Sequence, residues 1–214
     1  MIKVAPSLLA ADYLRFGEEM DSVIASGADA LHYDVMDGEF VPAITFGQGL
    51  ARFLSAKPID LDVHLMIAHP ERHIDEFAEA GAAYITVHQE AAGFELKNTL
   101  ARIRAAGCKA GVSIKPFTSV SALEEVIEYA DLLLIMTVEP GKGGQKLIPF
   151  TVDKVREINR MAKARGVDPI IEVDGGINEQ TALSVKEAGA NMLVAGSAFF
   201  KAADRAEFVR CLKA

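Results

Sequence analysis

Three short apolar runs of this chain carry polar side chains two residues apart. If the runs are extended, His32, Asp34 and Met36 of LHYDVMDG share one face, as do Asp62, His64 and Met66 of DLDVHLM, and Glu172 and Asp174 of IIEVDGG. Brought together, His32, Asp34, His64 and Asp174 form a mixed nitrogen and oxygen ligand set for one divalent metal ion, and zinc, iron, manganese or cobalt suits it. Glycine-rich turns supply a second kind of chemistry. Gly141, Lys142, Gly143 and Gly144 form one, Gly175 and Gly176 another, and Gly196 with Ser197 a third. At such turns backbone N–H groups can approach the oxygens of a phosphate closely. Met36, Met66 and Met136 could line the same site with soft apolar surface. His69 and His73 are expected in solvent, His88 in a structural role, and Cys108 and Cys211 as free buried thiols.

These side chains need a scaffold that collects strand ends. Short β-branched runs at 3–7, 30–36, 59–66, 84–88, 109–114, 132–138, 170–174 and 192–195 have strand length and are bounded by Gly, Asp, Pro or Ser. Helical patterns lie between them at 14–25, 70–80, 96–106, 120–129, 152–165, 180–188 and 205–212, and most stop at a glycine. The helix ends echo one another in ASGADALHYDV, EAGAAYITVH, AAGCKAGVSI and EAGANMLVAG, an internal βα repeat. Eight strands in 214 residues leave about 27 residues per unit, enough for a strand, a helix and two turns. The expectation is a single-domain α/β protein, a (β/α)8 or TIM barrel over residues 1–214, with chemistry at the C-terminal strand ends. An open doubly wound sheet would carry a G-x-G-x-x-G turn after an early strand, and none is present.

Composition narrows the function. With 22 Lys plus Arg against 30 Asp plus Glu, the chain has a net charge of −8, a poor match for nucleic acid. No apolar run is long enough to span a membrane. The opening MIKVAPSLLAADYLRFGEEM places Asp12, Arg15, Glu18 and Glu19 where a signal peptide needs apolar residues, so a cytoplasmic protein is expected.

The segments VAPSLLAAD, LHYDVMDGEFVP, LDVHLMI, GVSIKP, MTVEPGKGGQ, EVDGGIN and VAGSAFF, in that order, resemble the ribulose-phosphate 3-epimerase family over essentially the whole chain. The resemblance implies an isomerase of the pentose phosphate pathway that interconverts D-ribulose 5-phosphate and D-xylulose 5-phosphate, acts with a divalent metal ion and forms homo-oligomers. Matched by position, it implies that Asp34 and Asp174 are the acid/base pair and that His32, Asp34, His64 and Asp174 are the metal ligands. It further implies that Ser7, His64, Asp174, Gly141, Lys142, Gly143, Gly144, Gly175, Gly176, Gly196 and Ser197 contact the phosphorylated ketose. Glu39, Ala43 and Lys142 depart from the family's usual residues in loops over the sugar. That keeps D-allulose 6-phosphate as an alternative substrate, and Lys142 either attracts the phosphate or points to solvent.

The implied chemistry is coherent. A hydrogen on carbon 3 is acidic beside a carbonyl, and a Lewis acid stabilises the enediolate left by its removal. Inversion needs a base on one face and an acid on the other, so two carboxylates are required. A metal-dependent hydrolase and a non-catalytic sugar-phosphate binder are the rival classes, and neither needs the second carboxylate.

Overall fold

Both faces of nearly every strand are buried, because one side meets side chains from the other strands and the other meets helices. The computed structural model describes residues 1–214. Its strands are β1 (Lys3–Pro6), β2 (Ala30–Met36), β3 (Asp60–Met66), β4 (Tyr84–His88), β5 (Lys109–Ile114), β6 (Leu132–Met136), β7 (Ile170–Asp174) and β8 (Met192–Ala195). All pair in parallel, in the order β1-β8-β7-β6-β5-β4-β3-β2. The ring is joined between β1 and β2 by a single parallel bridge, Ser7 to His32. This is the expected (β/α)8 barrel, and strand bounds agree with the sequence expectation to within two residues.

The helices are α1 (Phe16–Ala25), α2 (Gln48–Leu54), α3 (Ile74–Glu79), α4 (Gln89–Ala92), α5 (Leu96–Ala105), α6 (Thr151–Ala164), α7 (Ala182–Ala188), α8 (Ser197–Phe200) and α9 (Arg205–Lys213). In α6, Val152, Val155, Ile158 and Ala162 recur every three or four residues and are the buried stripe. α7 ends at Gly189, whose φ of +113° is open to glycine, and a Cβ there would lie 2.1 Å from Asn159 Nδ2. No helix is long and apolar enough to cross a membrane.

Some expectations need correction. The segment 120–129 is not an α-helix but two 3-10 turns, Val120–Leu123 and Ile127–Tyr129. Its buried Val120, Leu123 and Val126 are three residues apart, the period of the tighter helix. The segment 70–80 likewise divides into a 3-10 turn at Pro70–Arg72 and α3. α2 was not expected, because only Ala51 and Leu54 of it are buried and Phe53 faces solvent. Cys108 is buried, but Cys211 is exposed, because it lies on the outer side of α9 while Phe208, Val209 and Leu212 face inward.

The outward-facing strand residues and the helix stripes make one large apolar layer around the barrel. Each fully buried Val, Leu or Ile there contributes about 1.5–3 kcal/mol. Inside the barrel the lining divides. Ala5, Leu132, Leu134, Met136, Met192 and Val194, from β1, β6 and β8, pack together as an apolar wall. His32, Asp34, Asp62, His64, Thr86, His88, Ser113 and Glu172, from β2, β3, β4, β5 and β7, form a buried polar wall.

Gly111 of β5 pairs with Thr86 of β4 within that polar wall. A Cβ at Gly111 would meet Thr86 Oγ1 at 2.1 Å and the Thr86 backbone at 3.1 Å. Gly111→Ala is therefore expected to destabilise the fold by about 1–3 kcal/mol. Thermal melting should show the corresponding drop, about 2–4 °C per kcal/mol for a chain of this size.

Candidate active site

Strand register brings the polar residues to one level. β2 pairs with β3 so that His32 lies beside Asp62, Asp34 beside His64 and Met36 beside Met66. β6 pairs with β7 so that Met136 lies beside Asp174 and Leu134 beside Glu172. Each such set points inward because side chains alternate along a strand.

At the upper level four atoms converge. His32 Nε2 lies 3.4 Å from Asp34 Oδ1 and 3.9 Å from Asp174 Oδ2. His64 Nδ1 lies 3.5 Å and 4.0 Å from the same two oxygens. The two imidazole nitrogens are buried and have no hydrogen-bond partner in the protein. A buried polar atom left in that state is costly unless something else binds it. All four donor atoms lie within 4.8 Å of one another, and atoms so spaced can reach a common centre at the roughly 2.0–2.2 Å of metal bonds to nitrogen and oxygen. The residues present therefore fit a divalent cation.

The opposite edges of both rings are held. His32 Nδ1 bonds Asp62 Oδ2 at 2.6 Å, with Glu172 Oε1 3.6 Å away. His64 Nε2 bonds His88 Nε2 at 2.9 Å, and His88 Nδ1 meets Glu90 Oε2 at 3.2 Å. Ser7 Oγ donates to Asp34 Oδ2 at 2.5 Å, so the strand that closes the ring also orients this carboxylate.

These surroundings separate the two aspartates. Burial pushes both carboxyls up. For Asp34 the neighbouring His32 and His64 imidazoles outweigh burial and hold it well below the usual carboxylate range. For Asp174 burial prevails and the nearby Asp34 charge adds to it, so its carboxyl is pushed up to about 7. His32 is pulled down by burial, yet Asp34 and Asp62 outweigh this and raise it well above an ordinary histidine. His64 is lowered by burial, and His88 is lowered to about 4 by the same cause. Glu172 is raised strongly by burial and then by Asp62.

Above the cluster a cavity opens at the C-terminal ends of the strands. Its walls include Ser7, Asp34, Asp174, Met36, Met66 and Met136. One side is formed by Gly141, Lys142, Gly143, Gly144, Gly175, Gly176, Gly196 and Ser197. The N–H groups of Gly143, Gly144, Gly176 and Gly196 donate to no acceptor in the protein. Gln145 Nε2 pins the first turn by donating to the carbonyls of Glu139 at 2.6 Å and Lys142 at 2.8 Å. Gly176 has φ +68°, and a Cβ there would lie 2.2 Å from Leu147 N, so only glycine lets the turns after β6 and β7 interlock.

The sequence-predicted residues thus come together, with two qualifications of place. His32 and His64 are fully buried beneath Asp34 and Asp174 and do not form the cavity wall, and the Lys142 side chain is exposed at the rim. His69 is exposed, as expected, whereas His73 is half-buried and pairs with Glu76 at 3.0 Å. His88 has the structural role expected of it, supporting His64, while sequence reasoning missed the supporting parts played by Asp62 and Glu90. Asp62 could have been found from its shared face with His64.

The family model described as the ribulose-phosphate 3 epimerase family matches residues 3–200. The ribulose-phosphate 3-epimerase of Bacillus subtilis is 50% identical over 209 residues, covering 96% of this chain and 95% of that protein. The ribulose-phosphate 3-epimerase of a Synechocystis species is also 50% identical, over 212 residues, covering 97% and 91%. Among solved structures, 3-hexulose-6-phosphate synthase from Salmonella typhimurium superposes with a TM-score of 0.74 over 99% of this chain and 96% of its own, at 21% identity, a likeness of fold alone.

Protons occupy the donors a cation needs. Below about pH 7 the Asp174 carboxyl holds one. Cation uptake is expected to release protons, with affinity rising as pH rises from 5 through 7. Calorimetry of zinc binding in buffers of differing ionisation enthalpy checks this, and pH-independent affinity would contradict it. In the cation-free chain the same Asp174 shift favours folding at low pH. Its contribution is lost as pH rises from about 4, the ordinary carboxylate value, through about 7.

Proposed function

The chain belongs to the ribulose-phosphate 3-epimerase family, and from that premise we propose that its barrel mouth inverts carbon 3 of D-ribulose 5-phosphate to give D-xylulose 5-phosphate. The observation that carries the reading is the pair of carboxylates, Asp34 and Asp174. They approach one centre from β2 and β7, with Asp34 held well below the usual carboxylate range and Asp174 pushed up to about 7.

The ionised Asp34 is the base. Ser7 donates to its Oδ2 and keeps Oδ1 turned to the cluster. It takes the hydrogen of carbon 3, and the electron pair spreads onto the neighbouring carbonyl oxygen as an enediolate. Asp174 carries a proton when the substrate is in place, returns it to carbon 3 on the other face, and the two exchange roles in the reverse direction. A divalent cation held by His32, Asp34, His64 and Asp174 supplies Lewis-acid stabilisation for the negative charge that develops on oxygen. Zinc, iron, manganese and cobalt all suit the donor set.

The rest of the cavity holds the substrate still. Met36, Met66 and Met136 surround the carboxylates with side chains that have no exchangeable proton, so the intermediate meets no competing donor. The free amides of Gly143, Gly144, Gly176 and Gly196 hold the phosphate, with Ser197 beside them. Fixing the phosphate places carbon 3 between the two carboxyls. Relatives at 45–50% identity support the pentulose phosphate over the hexulose phosphate alternative, and over hydrolysis or simple binding. A homo-oligomer completes the reading, and the exposed Leu14, Ile44 and Phe53 are surface that it would cover.

Asp34→Asn and Asp174→Asn are each expected to lower kcat for epimerisation by about 10²–10⁴-fold, measured with a coupled assay for xylulose 5-phosphate. In heavy water the wild-type enzyme should place deuterium on carbon 3 without cleaving the sugar phosphate. Release of inorganic phosphate instead, or near-normal turnover in either variant, would remove the two-aspartate mechanism.

A further inference from the structure

The histidine that supports His64 is itself supported, and the line of hydrogen bonds runs from the cluster to the edge of the barrel. Glu90 Oε1 accepts from the backbone N–H of Lys115 at 2.7 Å and from the Thr118 hydroxyl. Its other oxygen, Oε2, faces His88 Nδ1 at 3.2 Å. Phe40 lies against the His88 ring, 4.8 Å between centroids, and Lys115 Nζ sits 3.9 Å from the centre of Phe40, so the line is covered from above.

Each link fixes the next. An ionised carboxylate only accepts hydrogen bonds, so His88 Nδ1 carries the hydrogen. A neutral imidazole has one donor and one acceptor, so His88 Nε2 is the acceptor. The atom it faces at 2.9 Å, His64 Nε2, must then be the donor. The His64 lone pair is left on Nδ1, the buried nitrogen without a partner that points at Asp34 and Asp174.

We propose that Glu90, acting through His88, is a positioning residue that sets the tautomer of His64 and so turns its ligating lone pair into the site. The proposal rests on the reading of His64 as a cation ligand, but the tautomer exists without the cation and can be measured without it. Glu90→Gln reverses the line with almost no change of shape. The Lys115 N–H is a donor and requires an acceptor, so the amide oxygen takes the Oε1 place and the NH₂ faces His88 Nδ1. His88 then carries its hydrogen on Nε2, and His64 must carry its own on Nδ1, against the cation position.

The test uses the full chain, freed of metal and labelled with ¹⁵N on histidine, in long-range ¹H–¹⁵N spectra at pH 8. The wild type is expected to show His64 protonated on Nε2, and Glu90→Gln to show it protonated on Nδ1. Zinc affinity, measured by competition with a chelator, is expected to fall by about 10–100-fold in the variant. His64 protonated on Nδ1 in the wild type overturns the proposal, and this spectrum decides the matter even if the variant does not fold. An unchanged His64 tautomer in Glu90→Gln, or zinc affinity within about twofold of the wild type, also overturns it. Failure of zinc to bind the wild type at all would instead remove the metal reading, with the tautomer result standing by itself.

Discussion

The His32 imidazole is enclosed by carboxyl groups, and the site depends on that enclosure. Asp62 holds one nitrogen at 2.6 Å, while Asp34 and Asp174 lie 3.4 and 3.9 Å from the other. An isolated charge buried inside a barrel would be expelled or neutralised. Here positive and negative groups answer one another, and at Glu172, where burial and the Asp62 charge outweigh His32, the carboxyl is raised strongly. Removing one member leaves its partners buried and unbalanced, which commonly costs about 3–5 kcal/mol. The cluster is therefore a joint feature of β2, β3 and β7, with no strand able to change alone.

The divided lining of the barrel follows. A core of Val, Ile and Leu alone would be more stable, but it could not hold two imidazoles turned to a common centre. The apolar wall from β1, β6 and β8 keeps the interior dry enough for charge pairing to be strong, and the polar wall supplies the pairs. The glycine turns above belong to the same division. Their amides are unsatisfied by the protein on the side where the wall is apolar, leaving them to an anionic group without adding a cation near Asp34.

Much of this was legible in the sequence because strand geometry has a strict period. His32 with Asp34, and Glu172 with Asp174, are two residues apart, and a barrel strand has no wet face on which to put them. His88 shares its face of the run only with Tyr84 and Thr86, so spacing offered it no charged partner, and its bond to His64 depends on the stagger between β3 and β4. Glu90 lies past the strand in a four-residue helix, where no period applies, and its role exists only through the loop that carries Lys115 and Thr118. Asp62 was visible on the right face, but a carboxylate that supports a ligand and one that is a ligand look alike until the distances are known. The segment 120–129 read as a helix because an apolar residue every third position satisfies both helical periods, and only the tight crossover from β5 to β6 selects the 3-10 form.

β1 has its only ladder with β8, and on its other side it meets β2 through a bridge at Ser7 and two hydrogen bonds between Val4 and Asp29. β1 must therefore wait for β8 before its ladder is formed. Until then Ser7 has no fixed approach to Asp34. The reactive carboxylate is fully oriented only when β1 and β8 have paired, so a half-folded chain would carry the cluster's residues without the completed centre.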